Sequence, residues 1–282
     1  MGEIFRGSEA VAAGDLTEYQ LQRWYRTVFR GIYIDKRARP NLRDRTVGAW
    51  LFSKRQGTIA GAAASALHGA EWVDTDVPIE LISPTTGPQP GLIVRSEELA
   101  EDEVTRVAGL PVTTPARTAF DLGRHFPRVQ ALARLDALMR ATPFTVEDVQ
   151  LLMKRHNGAR GSRQLRELLP LVDGGAMSPQ ETRLRLLFID AGLPKPTTQI
   201  VVVDEWGRHV RTLDMGWEDF MVAAEYDGDR HQTSRAQYVK DRIVLPKLAG
   251  LGWSVIGVIK EDRDAEVLRR THDALVSRGW KP

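Results

Sequence analysis

The sequence predicts a mixed α/β protein built from more than one domain. Three observations lead there. At 282 residues with 42% apolar content, the chain is longer than one ordinary domain and apolar enough for packed cores. The stretch VDGGAMSP (172–179) interrupts periodicity with Gly174, Gly175 and Pro179 and reads as a linker. Beyond it, the pattern runs helix, three strands, helix, strand, helix.

Composition narrows the chemistry. There is no cysteine, which excludes disulfides, thiolate nucleophiles and cysteine zinc sites and suits a reducing cytoplasm. Any metal must be held by oxygen or histidine. The opening MGEIFRGSEAV has no apolar signal region and no run of about 18 apolar residues occurs, so a cytoplasmic protein without membrane contact is expected.

Residues 1–40 read as two short helices and a hairpin. Ser8 is placed to cap SEAVAAG, Gly14 to end it, and Thr17 to cap TEYQLQRW. RTVFRGIYI (26–34) is β-branched and aromatic, with Gly31 at the bend. Helix, helix and basic hairpin is the order of a winged helix-turn-helix, so Arg23, Arg26 and Arg30 are the residues expected to meet double-stranded DNA. Charge is uneven: 11 Lys/Arg against 6 Asp/Glu over 1–70, 2 against 9 over 71–110, 10 against 6 over 111–176, and 16 of each thereafter. The basic segments suit a phosphate backbone, and the acidic one would face away from it or meet a partner.

An α+β and helical middle region is expected over 41–172. It comprises a helix over 43–55, an Ala-rich helix over 62–68, strands near 78–82 and 91–95, and helices over 128–169 with Leu132, Leu135, Leu138 and Met139 as a core stripe. Thr114 and Pro115 form an N-cap and first helical residue leading into ARTAFDLGR. His68 reads as a packed helix residue.

The C-terminal region, 177–282, is the most legible. Ser178-Pro179-Gln180-Glu181 opens a helix that runs to Ala191. TQIVVVD (198–204), HVRTLD (209–214) and FMVAAEYD (220–227) form an antiparallel meander. Glu225 and Asp227, two apart on one strand, project from one face, and a short turn brings Asp214 beside Glu225. Clustered carboxylates repel unless compensated, and hard oxygen ligands suit Mg²⁺ or Mn²⁺, which activates water against a phosphodiester.

SPQETRLRLLFIDAGLP, RTLDMGWEDFMVAAEYDGDRHQ and YVKDRIVLPKLAGLGWSVIGV together resemble the PD-(D/E)XK nuclease superfamily, in its very-short-patch-repair-like branch. The resemblance implies a restriction-endonuclease-like αβββαβ core, with Asp214 as the superfamily aspartate, Glu225 as the acid of the Glu-x-Lys element and Glu181 as the first-helix glutamate. The usual lysine is replaced by Asp227, so His231, Lys240 and Arg242 stand as candidates for the missing base or cation. SALHG (65–69) and GLPVTTPARTAFDL (109–122), behind the winged-helix-like start, resemble AbiEi-type antitoxins of abortive-infection systems. That resemblance implies DNA binding by the N-terminal segment, promoter autoregulation and a nucleotidyltransferase toxin as a partner.

Two functions follow as expectations. The first is a metal-dependent endonuclease in which Asp214, Glu225 and Asp227 hold the metal, Glu181 tunes the cluster and His231 or Lys240 assists proton transfer. The alternative is a non-catalytic DNA-binding regulator or antitoxin.

Overall fold

A computed structural model describes residues 3–228 and 235–282, with side chains from 242 onward in the second stretch. It is mixed α/β, with three sheets and eleven helices among the described residues, and it divides into two compact units, Met1–Val172 and Asp173–Pro282.

The first unit opens with β1 (Phe5–Arg6), α1 (Gly7–Ala12), α2 (Glu18–Trp24), β2 (Tyr25–Phe29) and β3 (Ile32–Asp35), its strands ordered β1-β3-β2. Thr17 caps α2 through a capping box with Gln20, while α1 begins at Arg6 without the side-chain cap expected from Ser8. Gly31, at φ 77°, makes the hairpin turn. Helix α3 (Leu42–Phe52) follows; Ile4, Phe29 and Ile32 share one apolar cluster with Ala49 and Leu51 of α3 and with Ile59, Leu81 and Val112. The hairpin segment therefore draws its core from the sheet behind it.

That sheet has five strands in the order β6-β5-β4-β8-β7: β4 (Thr58–Ala60), β5 (Ile79–Ile82), β6 (Leu92–Arg95), β7 (Val104–Val107) and β8 (Leu110–Thr113). Strand β4 is not predicted from sequence, because its three residues are too few to show a period. Helices α4 (Gly61–Leu67), α5 (Pro115–His125), α6 (Arg128–Ala141), α7 (Val146–Arg155) and α8 (Ser162–Leu168) complete the unit. Thr114 accepts the Arg117 N–H at the start of α5, with Pro115 in the first turn as expected. His68 caps α4, and its Nε2 lies 2.8 Å from the Thr113 carbonyl oxygen.

In the second unit, α9 (Pro179–Asp190) leads into β9 (Thr197–Val203), β10 (His209–Trp217) and β11 (Val222–Asp227); then come α10 (Arg235–Gly250), β12 (Ser254–Ile259) and α11 (Asp264–Ser277). The sheet order is β12-β11-β10-β9, antiparallel except for the β11–β12 pair. One face packs Met215, Trp217, Val222 and Ala224 on Leu184 and Phe188 of α9 and on Val267 and Leu275 of α11. The other packs Ile200, Val202, Leu213 and Ala223 on Leu248 of α10 and on Trp253.

Along β10 the faces invert between Leu213 and Met215. Leu213 belongs to the α10 face, yet Met215, two residues on, belongs to the α9 face. Regular alternation would put both on one side. Leu213 pairs with Ile200 and Met215 with Thr198, so the break falls at Asp214 and, across the ladder, at Gln199, which adopts a left-handed φ of 53°.

Candidate functional site

This break decides where the acidic side chains go. The β10–β11 ladder runs from Trp217↔Val222 to Met215↔Ala224, and beyond it the Tyr226 N–H donates to the Asp214 carboxylate at 2.8 Å. Asp214 thus replaces the backbone of its own strand as a partner for β11. Glu225 and Asp227 share the α10 face with Ala223, as the two-residue spacing requires. There they line a cavity of about 460 Å³ together with Arg211, Arg242, Leu245 and Pro246.

Glu225 is the buried member, and Arg211 Nε donates to its Oε1 at 2.6 Å. Burial pushes the Glu225 carboxyl up to about 7; Arg211 acts against the shift, and the Asp214 and Asp227 carboxylates add to it. The Asp214 and Asp227 carboxylates are thus within electrostatic reach of Glu225. Among the described residues no group of three or more His, Asp or Glu side chains is placed to hold a metal ion. The carboxylate oxygens are of the hard type that Mg²⁺ or Mn²⁺ takes, but Glu225 is engaged by a guanidinium and Asp214 by a backbone amide.

Glu181 is on α9, which packs against the other face of the sheet. Its N–H is capped by Ser178; its carboxylate accepts the Met177 N–H at 2.9 Å and lies 3.5 Å from Gln199 Nε2. Two of its partners are thus the start of its own helix and the residue facing Asp214 across the ladder. His231 lies outside the described residues, as does the side chain of Lys240. Sequence reasoning missed Arg211; the signal available was its position three residues before Asp214 on a strand.

At the other end of the chain, Arg23 is exposed on α2 beside Tyr19 and Trp24, its guanidinium 5.1 Å from the Trp24 ring centre. Arg30 is exposed at the hairpin tip. Arg26 is turned inward instead: its guanidinium donates to the Ala38 carbonyl, and its Nε is buried. Of the three arginines expected to meet DNA, two present their charge to solvent.

A second charged locus lies where the sequence shows only a helix start. On α5, the fully buried Arg117 donates through Nη2 to Glu97 at 2.6 Å, through Nε to both oxygens of Asp121 at 3.2 Å and through Nη1 to Glu103, and it lies 3.3 Å from His156 Nε2. Arg124 adds bonds to Glu97 at 2.9 Å and Asp121 at 3.0 Å. The available signal was the spacing of Arg117, Asp121 and Arg124 on a helix whose remaining faces are apolar.

The family model of the AbiEi antitoxin C-terminal domain matches residues 57–171, the five-stranded sheet with α4 to α8. Two curated proteins from two strains of Mycobacterium tuberculosis, uncharacterized protein MT2308 and uncharacterized protein Rv2248, are each 31% identical over 235 residues, covering 83% of this chain and 85% of theirs. No solved structure matches. Residues 57–171 match the AbiEi antitoxin C-terminal domain model, and the chain belongs to the family of these two mycobacterial proteins.

Proposed function

We propose that this protein is a DNA-binding regulator of the antitoxin kind. The observation that carries this reading is the AbiEi antitoxin C-terminal domain at 57–171, preceded by a strand-helix-helix-hairpin segment that exposes Arg23 and Arg30. A second helix ahead of a basic hairpin is the arrangement that lays a helix in the major groove and a wing on the phosphates. The partners implied are double-stranded DNA and a toxin, which for this family type is a nucleotidyltransferase.

The test is binding of the purified chain to duplex DNA from upstream of its own coding region, measured by anisotropy against an unrelated duplex. Specific binding that represses transcription from that promoter supports the reading. Equal weak binding to both duplexes, with no repression, defeats it.

A second reading has its own observation. Asp214, Glu225 and Asp227 approach one another beside a cavity that also carries Arg211 and Arg242, which supports a restriction-endonuclease-like domain acting on phosphodiesters. Metal binding would require Arg211 to give up Glu225. Plasmid, single-stranded DNA and RNA incubated with Mg²⁺, Mn²⁺ or EDTA separate the readings. Cleavage that needs metal and disappears in Asp214→Ala and Glu225→Ala supports an enzyme; intact substrates in every condition leave the regulator alone.

A further inference from the structure

A cavity of about 770 Å³ opens over the charged face of α5, lined by Arg95, Glu97, Glu98, Arg124, His125 and His156, by Phe120 and by the turn 157–160. Its size falls within the roughly 300–1,000 Å³ usual for small-molecule sites. We propose that it binds a small organic anion, whose carboxylate or phosphate takes the seat between Arg117, Arg124 and His125 that Glu97 fills in the free protein.

The seat is visible because a carboxylate already sits in it. Glu97 receives Arg117 Nη2 at 2.6 Å and Arg124 Nη2 at 2.9 Å, and its other oxygen lies 3.6 Å from His125 Nε2. Two guanidinium groups converging on one oxygen form an oxyanion cradle. Glu97 is also the exchangeable member of the network. Its side chain is 30% exposed, against 1% for Glu103 and 2% for Asp121. If Glu97 leaves, Arg117 keeps Asp121 and Glu103, and Arg124 keeps Asp121, so neither cation is stranded.

Both walls of the cavity are tied to arginines of α5. The turn 157–161 is fixed against α5: Arg124 Nη1 donates to the Arg160 carbonyl, and a Cβ on Gly161, at φ 85°, would stand 2.4 Å from the Arg124 carbonyl oxygen. Residues 96–100, which carry Glu97, have no regular structure between β6 and the short helical turn Glu101–Glu103, and Arg117 Nη1 donates to the Glu98 carbonyl within them at 3.2 Å. Exchange of the anion therefore asks only the partly exposed Glu97 side chain to leave.

Further donors await a ligand. Arg124 Nε and His125 Nδ1 are buried and have no hydrogen-bond partner among the described residues. Buried polar groups are otherwise nearly always paired. Burial, helped by Arg95, Arg124 and Arg117, holds His125 down at about 3, so the ring is neutral and its Nδ1 can donate or accept as the ligand requires. Asn157, Arg160 and Glu98 line the remaining wall with Arg95, whose guanidinium is paired with Glu80 at 2.8 Å, so Asn157 and Arg160 are the groups offered to the rest of the molecule.

The experiment uses the full chain at constant ionic strength, with inorganic phosphate and citrate as probes and chloride as the control, read by calorimetry and thermal melting. Wild-type protein should bind at least one probe; binding of neither overturns the proposal. Glu97→Gln, which removes the competing charge, should bind about tenfold more tightly, because the seat is no longer filled for most of the time. Arg124→Gln should abolish the response; Arg160→Ala, an exposed change, should weaken it while leaving the fold intact. A response to citrate alone or to phosphate alone supports the site and tells which oxyanion it takes. The proposal is overturned if Glu97→Gln gains no affinity, or if Arg160→Ala and Arg124→Gln respond to the probes as the wild type does.

Discussion

Arg117→Met replaces a fully buried cation with an apolar side chain of similar length, in a place where three carboxylates were arranged around it. Removing one partner of a buried ion pair costs about 3–5 kcal/mol, because the remaining charge is left without compensation. Here the penalty sits at the lower end, about 3 kcal/mol by that scale, since Glu103 keeps Arg155 and His156 and Asp121 keeps Arg124. For a unit of this size, melting should fall by about 6–12 °C.

The penalty also depends on pH. Burial raises the Asp121 carboxyl to about 6, opposed chiefly by Arg117. A carboxyl raised in the folded state contributes stability that is full below its unfolded value near 3.8 and is lost as pH rises through about 6. Without Arg117 that loss extends to higher pH, so the variant falls further behind the wild type at pH 7.5 than at pH 5. Urea unfolding at both pH values, followed by circular dichroism, measures this. A difference under about 1 kcal/mol at pH 7.5, or one equal at both pH values, would refute the view that Arg117 compensates buried charge.

Four further outcomes are expected. Glu225→Gln should stabilise the second unit at pH 8 by up to about 3 kcal/mol and have little effect near pH 4, since a carboxyl raised from 4.5 to about 7 disfavours folding as it ionises; urea titrations at both pH values would expose a purely structural Arg211 pair as a loss at each. Arg23→Ala with Arg30→Ala should weaken DNA binding and flatten its salt dependence by about one unit for each phosphate no longer neutralised, as anisotropy across a salt series would show. Arg26→Ala should lower the melting temperature, because its guanidinium holds the Ala38 carbonyl; an unchanged melt with abolished DNA binding would reverse that assignment. Under the nuclease reading, millimolar Mn²⁺ should raise the melting temperature of Arg211→Gln more than that of wild type, because the guanidinium competes with the ion for Glu225; equal shifts would remove Arg211 from that role.

Much of the molecule can be read along the chain, for local reasons. The Thr17 and Thr114 caps, the Gly31 turn and the order of elements after residue 178 follow from side chains that bond or bend the backbone within a few residues of themselves. The two-residue spacing that puts Glu225 and Asp227 on one face is likewise a property of any strand. Tertiary structure decided the partners. Nothing near Glu225 in sequence announces Arg211, which arrives from the neighbouring strand, and nothing in HVRTLD marks the inversion at Asp214, which depends on Gln199 across the ladder. Arg26 has the composition of a DNA-binding residue, but its guanidinium is spent on a carbonyl twelve residues away. The α5 network is the plainest instance: Arg117 and Asp121 belong to one helix, while Glu97, Glu103 and His156 come from segments 14 to 39 residues distant. Local propensity fixes which face of an element a charge occupies; only the fold determines whether that face meets water, an opposite charge or an open seat for a ligand.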